Sequence, residues 1–441
     1  GTRLNLLLLA TPLAVLTDAT GGSGTLTFVF SLLALCPLAE RLGYVTEQLA
    51  LHTSATVGGL LNATFGNATE MIVSLFAIRS GLLRIVQLSL LGSVMSNLLL
   101  VLGTAFFLGG LKYDVQTFSA DSVKASISLL MLGMITLLMP ALLDQTNTML
   151  NVGDSLMLSR ICSIILLVVY IAFLVFQLKT HTHIFESTPP TREASRHSHA
   201  ETASLKEHES LRVSTVSRGA SLGSQFGVAW AAEESAAEQG GSMNGFGGAV
   251  ENLAKEDEDD EDDEEDVLGL RGSVVWLAGI TLVISLLSHY IVDTIEGASE
   301  ALKIPVAFVS TILLPIVGNA AEHAAAVLFA MKNKTDLAIG VAIGSSTQIT
   351  LLAIPFCVVC AWVVGAPLSL DFAPFETGVF VFSILGASAV VSDGRSHWLK
   401  GVVLVAAYAV LAAAFWFHVD PPNISGITRR HHSSGRRSGS Q

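Results

Sequence analysis

The chain has 441 residues, of which 51% are hydrophobic and 14% are charged, and its mean hydropathy is +0.60. Ordinary soluble domains carry roughly 25% charged residues, so this composition argues against a soluble globular fold. The formal net charge is −13, but one acidic run supplies 11 of the negative charges and the remainder carries only −2, which excludes the basic surface of a nucleic-acid binder.

Apolar segments recur along both ends of the chain, separated by Pro, Gly and charged residues. Each approaches the roughly 20 residues that a helix needs to cross a hydrocarbon core. We therefore predict eleven membrane-spanning helices, near residues 4–18, 25–42, 52–79, 84–110, 121–143, 157–179, 271–291, 304–331, 335–363, 374–392 and 397–418.

A long polar stretch follows the sixth predicted span. Residues 180–255 contain few large apolar side chains, so we predict a disordered linker there. An acidic segment at 256–268 comes next, and a polar tail at 419–441 ends the chain. The acidic run is either a solvated, self-repelling stretch or a segment that senses Ca²⁺ or funnels cations. Its members are Glu256, Asp257, Glu258, Asp259, Asp260, Glu261, Asp262, Asp263, Glu264, Glu265 and Asp266.

Lys and Arg are distributed unevenly between the two sets of loops. With eleven spans, nine basic residues fall on the side of the N-terminus and four on the opposite side. By the positive-inside rule, the N-terminus and the central linker are predicted to be cytosolic. The four basic residues on the opposite side are Arg79, Arg84, Arg160 and Lys303.

The four cysteines all fall inside apolar segments. Cys357 and Cys360 spell a CxxC motif, but a buried apolar setting keeps a thiol protonated and unreactive. We therefore interpret Cys36, Cys162 and this pair as packing residues rather than redox or metal-binding groups.

One motif occurs twice. The sequence GNATE at residues 66–70 matches GNAAE at 318–322, and a Gly-Ser pair follows each glutamate 22 residues later. Five predicted spans separate the copies, so the two helices run in opposite directions. Inverted repeats of this kind place a substrate site near the middle of the membrane. The predicted fold is an all-α membrane protein with one N-terminal helix (1–20) and two inverted five-helix repeats (21–179 and 269–418).

Glu70 and Glu322 are the candidate site residues. A charged carboxylate at the centre of a membrane helix costs roughly 2.5 to 3.5 kcal/mol on insertion scales, so each needs a partner or a function. Two facing carboxylates with neighbouring carbonyl and amide oxygens suit Ca²⁺, and the same carboxylates can bind protons when the cation leaves. This pattern predicts an antiporter; a structural hydrogen bond between two buried acids is the alternative.

His323 directly follows the second glutamate, where the first copy has Met71. An isolated histidine inside a membrane bundle is usually a packed, hydrogen-bonded residue. Its place beside Glu322 also suits a proton relay, because imidazole titrates in the physiological range. Both interpretations stay open.

Three other functional classes compete with Ca²⁺/H⁺ exchange. An oxygen site of this kind can also accept Mn²⁺, so a Mn²⁺/H⁺, Na⁺/Ca²⁺ or broader cation exchanger remains open. A passive cation channel is less consistent with inverted repeats that carry one glutamate each. An enzyme is disfavoured because the sequence has no nucleophile and base pair and no nucleotide-binding loop.

The repeated motifs also carry a family resemblance. GNATEMIVSLFAIRS, followed by VQLSLLGSVMSNLLLVLG, and GNAAEHAAAVLFAMKNKTDLAIGVAIGSSTQITLLAIPF resemble the two repeat signatures of the Ca²⁺/H⁺ exchanger (CAX) family. The likeness covers nearly the whole chain except the linker and tails, and is strongest to vacuolar members from plants, algae and fungi.

The resemblance implies proton-driven Ca²⁺ movement from the cytosol into a vacuole, with Ca²⁺, H⁺ and the lipid bilayer as partners and no cofactor. It leaves a homo-oligomer open. It implies that Glu70 and Glu322 bind the cation and the proton, and that an acidic helix joins the halves at the acidic run. The further site positions that it implies are Asn67, Asn319, Ser93, Ser345, the motif histidine His323, and Gln348 as a gate residue.

Overall fold

Apolar segments form helices in a bilayer because a helix satisfies its backbone N–H and C=O groups within the segment itself. The computed structural model describes residues 4–146, 154–181 and 267–418, which are almost entirely helical. The predicted linker beyond residue 181, the acidic run at 256–266 and the tail at 419–441 lie outside the described residues. Predictions about those three segments therefore stay predictions.

Thirteen helices and one small sheet make up the described part of the chain. A 3₁₀ turn, Leu4–Leu9, precedes the first helix. The first half contains α1 (Ala10–Ala19), α2 (Gly24–Leu51), α3 (Ala55–Phe65), α4 (Ala68–Arg79), α5 (Leu83–Lys112), α6 (Ala120–Gln145) and α7 (Asp154–Thr180). The second half contains α8 (Gly269–Leu302), α9 (Val306–Gly318), α10 (Ala320–Met331), α11 (Thr335–Val363), α12 (Pro374–Val391) and α13 (Trp398–Phe417). Between them, β1 (Gln116–Thr117) pairs antiparallel with β2 (Arg395–Ser396).

Eight of the described helices are long and apolar enough to cross a membrane, and the bent pair of α9 and α10 makes a ninth span. The other two predicted spans fall on the shorter apolar helix at Asn5–Ala19 and on α3 with α4. The all-α integral membrane fold is therefore confirmed. The total of eleven spans stays a prediction.

The core of the bundle is built around α5. In its most apolar stretch 89% of the residues are buried, compared with 22% in α7 and in α13. The outer helices expose apolar side chains such as Val168, Ile171 and Val410, which suits contact with lipid tails. The helix that carries the first Gly-Ser pair therefore lies in the protein interior.

Two helices are broken inside the bundle. Asn67 separates α3 from α4 with φ −111° and ψ 17°, and Asn319 separates α9 from α10 with φ −87° and ψ 18°. The second break bends the chain by 55°. Gly66 and Asn67 both lie outside the helices at the first break, whereas at the second break only Asn319 does. Neither asparagine caps its own helix with its side chain; both amides bond to the other repeat instead.

Two π-helical turns occupy matching places in the halves. One is Ser96–Val101 in α5 and the other is Ile349–Ala353 in α11, about 252 residues further on, which is the separation of Glu70 from Glu322. Two further turns are Phe176–Thr180 at the end of α7 and Val309–Leu313 in α9; the second has no counterpart in the first half, since α3 is a regular α-helix. Turns of this kind are rare and often mark functional sites.

All four cysteines are free thiols. Cys162 and Cys357 are buried, and Cys36 and Cys360 are half-buried. These positions agree with the packing role predicted for them.

A glycine lets α5 cross α9 at very short range. A Cβ atom on Gly92 would overlap the backbone carbonyl of Thr311 and would lie 2.7 Å from Cγ of Pro315. A backbone carbonyl and a proline ring cannot move aside as the tip of a flexible side chain can. The contact therefore fixes the distance between the two repeats beside the predicted site.

Replacing Gly92 by alanine is expected to lower the free energy of unfolding by about 1–3 kcal/mol, the usual cost of overpacking. Gly340→Ala is the matched control, because a Cβ atom there meets nothing within 4 Å. Thermal unfolding of both purified variants in detergent measures the difference. Equal melting temperatures for the two variants would contradict the close contact.

Candidate functional site

Glu70 and Glu322 occupy equivalent positions in the two repeats. Glu70 lies in the first turn of α4 and Glu322 in the first turn of α10, each directly after a helix break. The N-terminal end of a helix carries a partial positive charge, which favours an anionic side chain there. Both repeats therefore present a carboxylate to the interior of the bundle at the start of a half-helix.

The structure brings the two motifs together. Oε1 of Glu70 lies 2.8 Å from the place that a Cβ atom on Gly318 would occupy, so the first carboxylate reaches the break in the second repeat. The carboxylate of Glu322 is close enough to interact electrostatically with that of Glu70. The predicted meeting of the two copies is therefore present in the fold.

Several side-chain oxygens at this place are buried and accept no hydrogen bond from the described residues. They are Oε1 of Glu70, Oε2 of Glu322, Oδ1 of Asn319 and Oδ1 of Asn97. Buried polar atoms are normally satisfied, so a group of bare acceptors indicates an unmet ligand such as a cation or water. All four are hard oxygen donors, the type that Ca²⁺ and similar cations prefer.

The site lacks the dense ligand shell of a permanent metal centre. Within the described ranges, no three His, Cys, Asp or Glu side chains lie together in a way that could hold a metal ion. Two carboxylates with neutral oxygens provide a charge of −2, which matches a divalent cation. A cation held by so few charges can also leave.

Three asparagine side chains donate hydrogen bonds from one repeat to the other around the glutamates. Nδ2 of Asn67 donates to Oε1 of Gln348 at 2.8 Å. In the reverse direction, Nδ2 of Asn319 donates to the backbone carbonyl of Ser93 at 3.1 Å. Each asparagine at a helix break thus bonds to the opposite repeat.

Asn97 makes the third of these bonds. Its Nδ2 atom donates to Oγ of Ser345 at 2.9 Å, and its side chain is completely buried. The sequence comparison between the repeats did not single it out, because Ile349 stands at the corresponding place in the second half. The signal that the sequence did contain is an amide side chain inside an apolar stretch, four residues after Ser93.

A small cavity adjoins the first glutamate. It is lined by residues of α2, α4, α5 and α9: Leu35, Thr69, Glu70, Val73, Ser89, Ser93, Leu314, Pro315 and Gly318. Of the predicted site residues, Glu70 and Ser93 therefore line this cavity, whereas Glu322, His323, Ser345 and Gln348 do not. Ser89 and Thr69 are cavity residues that the sequence did not indicate.

The cavity extends from Glu70 toward one end of the bundle. On α4, Val73 lies one turn nearer to Arg79, and on α5, Ser89 lies one turn nearer to Arg84. On α9, Leu314 lies on the side of Val306. These lining residues therefore lie between Glu70 and the helix ends at Arg79, Arg84 and Val306.

His323 is half-buried and has a defined partner. Its Nε2 atom lies 2.7 Å from Oγ1 of Thr104 on α5, and that hydroxyl also lies within hydrogen-bond distance of the carbonyls of Leu100 and Val101. This is the contact of a packed, hydrogen-bonded bundle histidine. A proton-relay role for His323 stays a prediction.

Comparison with known proteins gives matches over both halves of the chain. Residues 23–179 and 272–417 match the family described as sodium/calcium exchanger protein. Vacuolar cation/proton exchanger 5 of Arabidopsis thaliana is 42% identical over 422 residues, which cover 95% of this chain and 82% of the relative. Vacuolar cation/proton exchanger 3 of Oryza sativa subsp. japonica is also 42% identical, over 95% of this chain and 87% of its own.

A solved structure is similar to the fold as well. The crystal structure of the Ca²⁺/H⁺ antiporter protein YfkE superposes with a TM-score of 0.68 at 27% identity. The match covers 95% of this chain and all of the other one. The likeness therefore includes the broken helices that carry Glu70 and Glu322.

Proposed function

Because the chain belongs to the sodium/calcium exchanger protein family, we propose that it is a secondary antiporter which exchanges Ca²⁺ for protons at the paired site of Glu70 and Glu322. The relatives named above are cation/proton exchangers, and the superposed structure is that of a Ca²⁺/H⁺ antiporter. Transport of this kind needs no resident cofactor and forms no covalent intermediate with the protein.

The observation that supports this proposal most is the group of buried oxygen atoms that accept no hydrogen bond from the part of the chain that the structure describes. Oε1 of Glu70, Oε2 of Glu322 and Oδ1 of Asn319 are acceptors that a desolvated Ca²⁺ would satisfy. A proton on each carboxylate would satisfy it in another way, by turning an acceptor into a donor. The same atoms can therefore carry either substrate, but not both at once.

Competition for these atoms couples the two ion flows. A site with two ionised carboxylates and no cation is costly inside a membrane, at roughly 2.5–3.5 kcal/mol for each charge on insertion scales. Binding of one Ca²⁺, or protonation of both carboxylates, removes that charge. Reorientation of the loaded site is then easier than reorientation of the empty site, and this difference makes the transporter an exchanger.

The hydrogen bonds between the repeats hold the neutral ligands in place. Asn67 is fixed by Gln348, and Ser345 is fixed by Asn97. In this mechanism the neutral oxygens beside the carboxylates come from Asn67, Asn319, Ser93 and Ser345. Gln348 accepts the hydrogen bond from Asn67 and so holds the first helix break against the second repeat. His323, which follows Glu322 in the chain and contacts Thr104, would take part in proton movement there.

We further propose that the protein works in a vacuolar membrane with its N-terminus and central linker in the cytosol. The named relatives are vacuolar, and the loops on the N-terminal side carry more Lys and Arg than the others. In this orientation the ends of α4 and α5 that carry Arg79 and Arg84 are luminal. The cavity beside Glu70 then faces the lumen, the compartment that supplies the protons.

Two alternatives keep the same fold. An oxygen site with two carboxylates can also take Mn²⁺, so a Mn²⁺/H⁺ exchanger is the first alternative. A passive cation channel is the second, and it would need no protons to move Ca²⁺. Inverted repeats that carry one glutamate each favour alternating access over an open pore.

Transport by the purified chain in lipid vesicles tests the proposal. With an acidic vesicle interior, we expect radioactive Ca²⁺ to accumulate inside while a pH dye reports proton efflux, and both to stop when the gradient is collapsed. Uptake that ignores the pH gradient would rule out antiport and favour the channel. Mn²⁺, Na⁺ and K⁺ added as competitors in the same assay identify the preferred ion.

A further inference from the structure

A buried ion pair lies apart from the candidate site. Arg84 in the first turn of α5 pairs with Glu376 in the first turn of α12, and so joins the first repeat to the second. The side chain of Glu376 is fully buried, and 13% of that of Arg84 is exposed. His418, just after α13, places Nε2 3.1 Å from the same carboxylate. The exchange mechanism described above uses none of these residues.

An ion pair in such a place requires an explanation. The removal of two charges from water often costs as much as their attraction returns, so a buried pair is weak evidence for a gain in stability. A buried ion pair has a clearer role where it selects one alignment of two helices among several that apolar packing alone would allow. Arg84 and Glu376 lie on helices of different repeats, where a register has to be set.

Gln87, nearly one turn further along α5, strengthens this connection. Its Nε2 atom donates to the backbone carbonyls of Ser369 at 3.0 Å and Asp371 at 3.2 Å, in the loop before α12. Backbone carbonyls are fixed points, so these bonds resist sliding of α5 along its axis. The first turns of α5 are thus attached to the second repeat by an ion pair and two hydrogen bonds.

The same helix then enters the cation cavity. Ser89 and Ser93 line it, and at 1.5 Å per residue Ser93 lies about 9 Å beyond Gln87 along the helix axis. The contact of Gly92 with Thr311 already fixes how closely α5 approaches α9. That contact does not fix the position of α5 along its own axis, which we call its height. Arg84 and Gln87 set this position.

We propose that the Arg84–Glu376 pair, together with Gln87, is a positioning element for cation binding: it holds α5 at the height where Ser89 and Ser93 face the carboxylate of Glu70. This inference rests on the proposed function, because it concerns the affinity of that same site. The positioning residues do not touch the cation.

The opposite end of the bundle offers a natural comparison. Lys124 stands 252 residues before Glu376, as Glu70 stands before Glu322, and Asp336 stands 252 residues after Arg84. Lys124 pairs with Asp121 instead, at 3.4 Å, and both side chains are more than half exposed. Asp336 accepts a hydrogen bond from the backbone N–H of Ser119. Lys124 is therefore a matched charged residue that does not set the height of α5.

Two variants test the positioning role without leaving a buried charge unpaired. One is the double variant Arg84→Met with Glu376→Leu, in which apolar side chains of similar volume replace the pair. The other is Gln87→Leu, which removes only the two hydrogen bonds. For each we expect normal yield of folded protein and an apparent KM for Ca²⁺ that rises about tenfold. A displacement of the α5 side chains by ~1 Å at the binding site is enough to produce a change of this size. Lys124→Met is the control and should keep the wild-type KM.

The measurement is pH-driven Ca²⁺ uptake per reconstituted protein, with KM and kcat determined separately. A purely structural role predicts lower yield or melting temperature with an unchanged KM in the protein that survives. Wild-type KM values in both well-folded variants would overturn the inference. Failure of the wild-type chain to couple Ca²⁺ to protons would instead overturn the proposed function, so the two failures are distinguishable.

Discussion

Replacement of either Glu70 or Glu322 by glutamine is expected to lower proton-driven Ca²⁺ uptake at least about a hundredfold. Removal of one member of a buried pair of opposite charges, here a carboxylate and the bound cation, typically costs on the order of 2–5 kcal/mol of binding free energy. Each 1.4 kcal/mol is a factor of about ten. Glutamine keeps the shape of the protonated side chain but can neither release a proton nor offer a charge to the cation. Each variant therefore resembles the protonated carrier and cannot complete the part of the exchange cycle that binds Ca²⁺.

Both variants should fold normally, because glutamine removes a buried charge without changing the volume. Glu296→Gln is the matched control, since Glu296 is exposed on α8. Initial rates of radioactive Ca²⁺ uptake at equal amounts of reconstituted protein measure the effect. Normal transport by both Glu70→Gln and Glu322→Gln would exclude the paired site.

The second large effect is expected at Gly318, where the two repeats meet. A Cβ atom on Gly318 would lie 2.8 Å from Oε1 of Glu70 and 3.7 Å from its Cδ atom. Because the atom in the way is the tip of a side chain, Gly318→Ala should fold and push the carboxylate aside. A displacement of ~1 Å in a reacting or binding group can cost about a hundredfold in rate, so we expect transport to fall by ten- to a hundredfold.

Gly344→Ala provides the comparison for this variant. Gly344 belongs to the second Gly-Ser pair, yet a Cβ atom there meets nothing within 4 Å. Alanine also favours the helical conformation more than glycine, so this control should be at least as stable as the wild type. Equal uptake rates for the two variants would show that transport does not depend on the position of the Glu70 carboxylate beside Gly318.

The sequence was informative where physics restricts what a membrane helix can contain. Long apolar segments can only be helices in a bilayer, so the positions of the spans were predictable. A glutamate in such a segment is rare, and the repeat of GNATE as GNAAE identified the pair. The opposed directions of the two copies followed from the number of spans between them.

Contacts between the repeats were not predictable in the same way. Asn97 was missed because its counterpart is Ile349, so the comparison of the halves gave no signal. Arg84 was counted among the loop residues on the side opposite the N-terminus, whereas the structure places it at the start of α5 in a buried pair with Glu376. Partners that are hundreds of residues apart have no periodic pattern that a single sequence can display.

The π-helical turns affect which way side chains face further along each helix. A π turn closes with a hydrogen bond between residues i and i+5, so the residues after it are shifted around the helix axis relative to those of an unbroken α-helix. The turns Ser96–Val101 and Ile349–Ala353 stand at matching places in the two halves. Both α5 and α11 therefore undergo this shift a few residues after their Gly-Ser pair, and the side chains at the two ends of each helix do not follow a single 3.6-residue repeat.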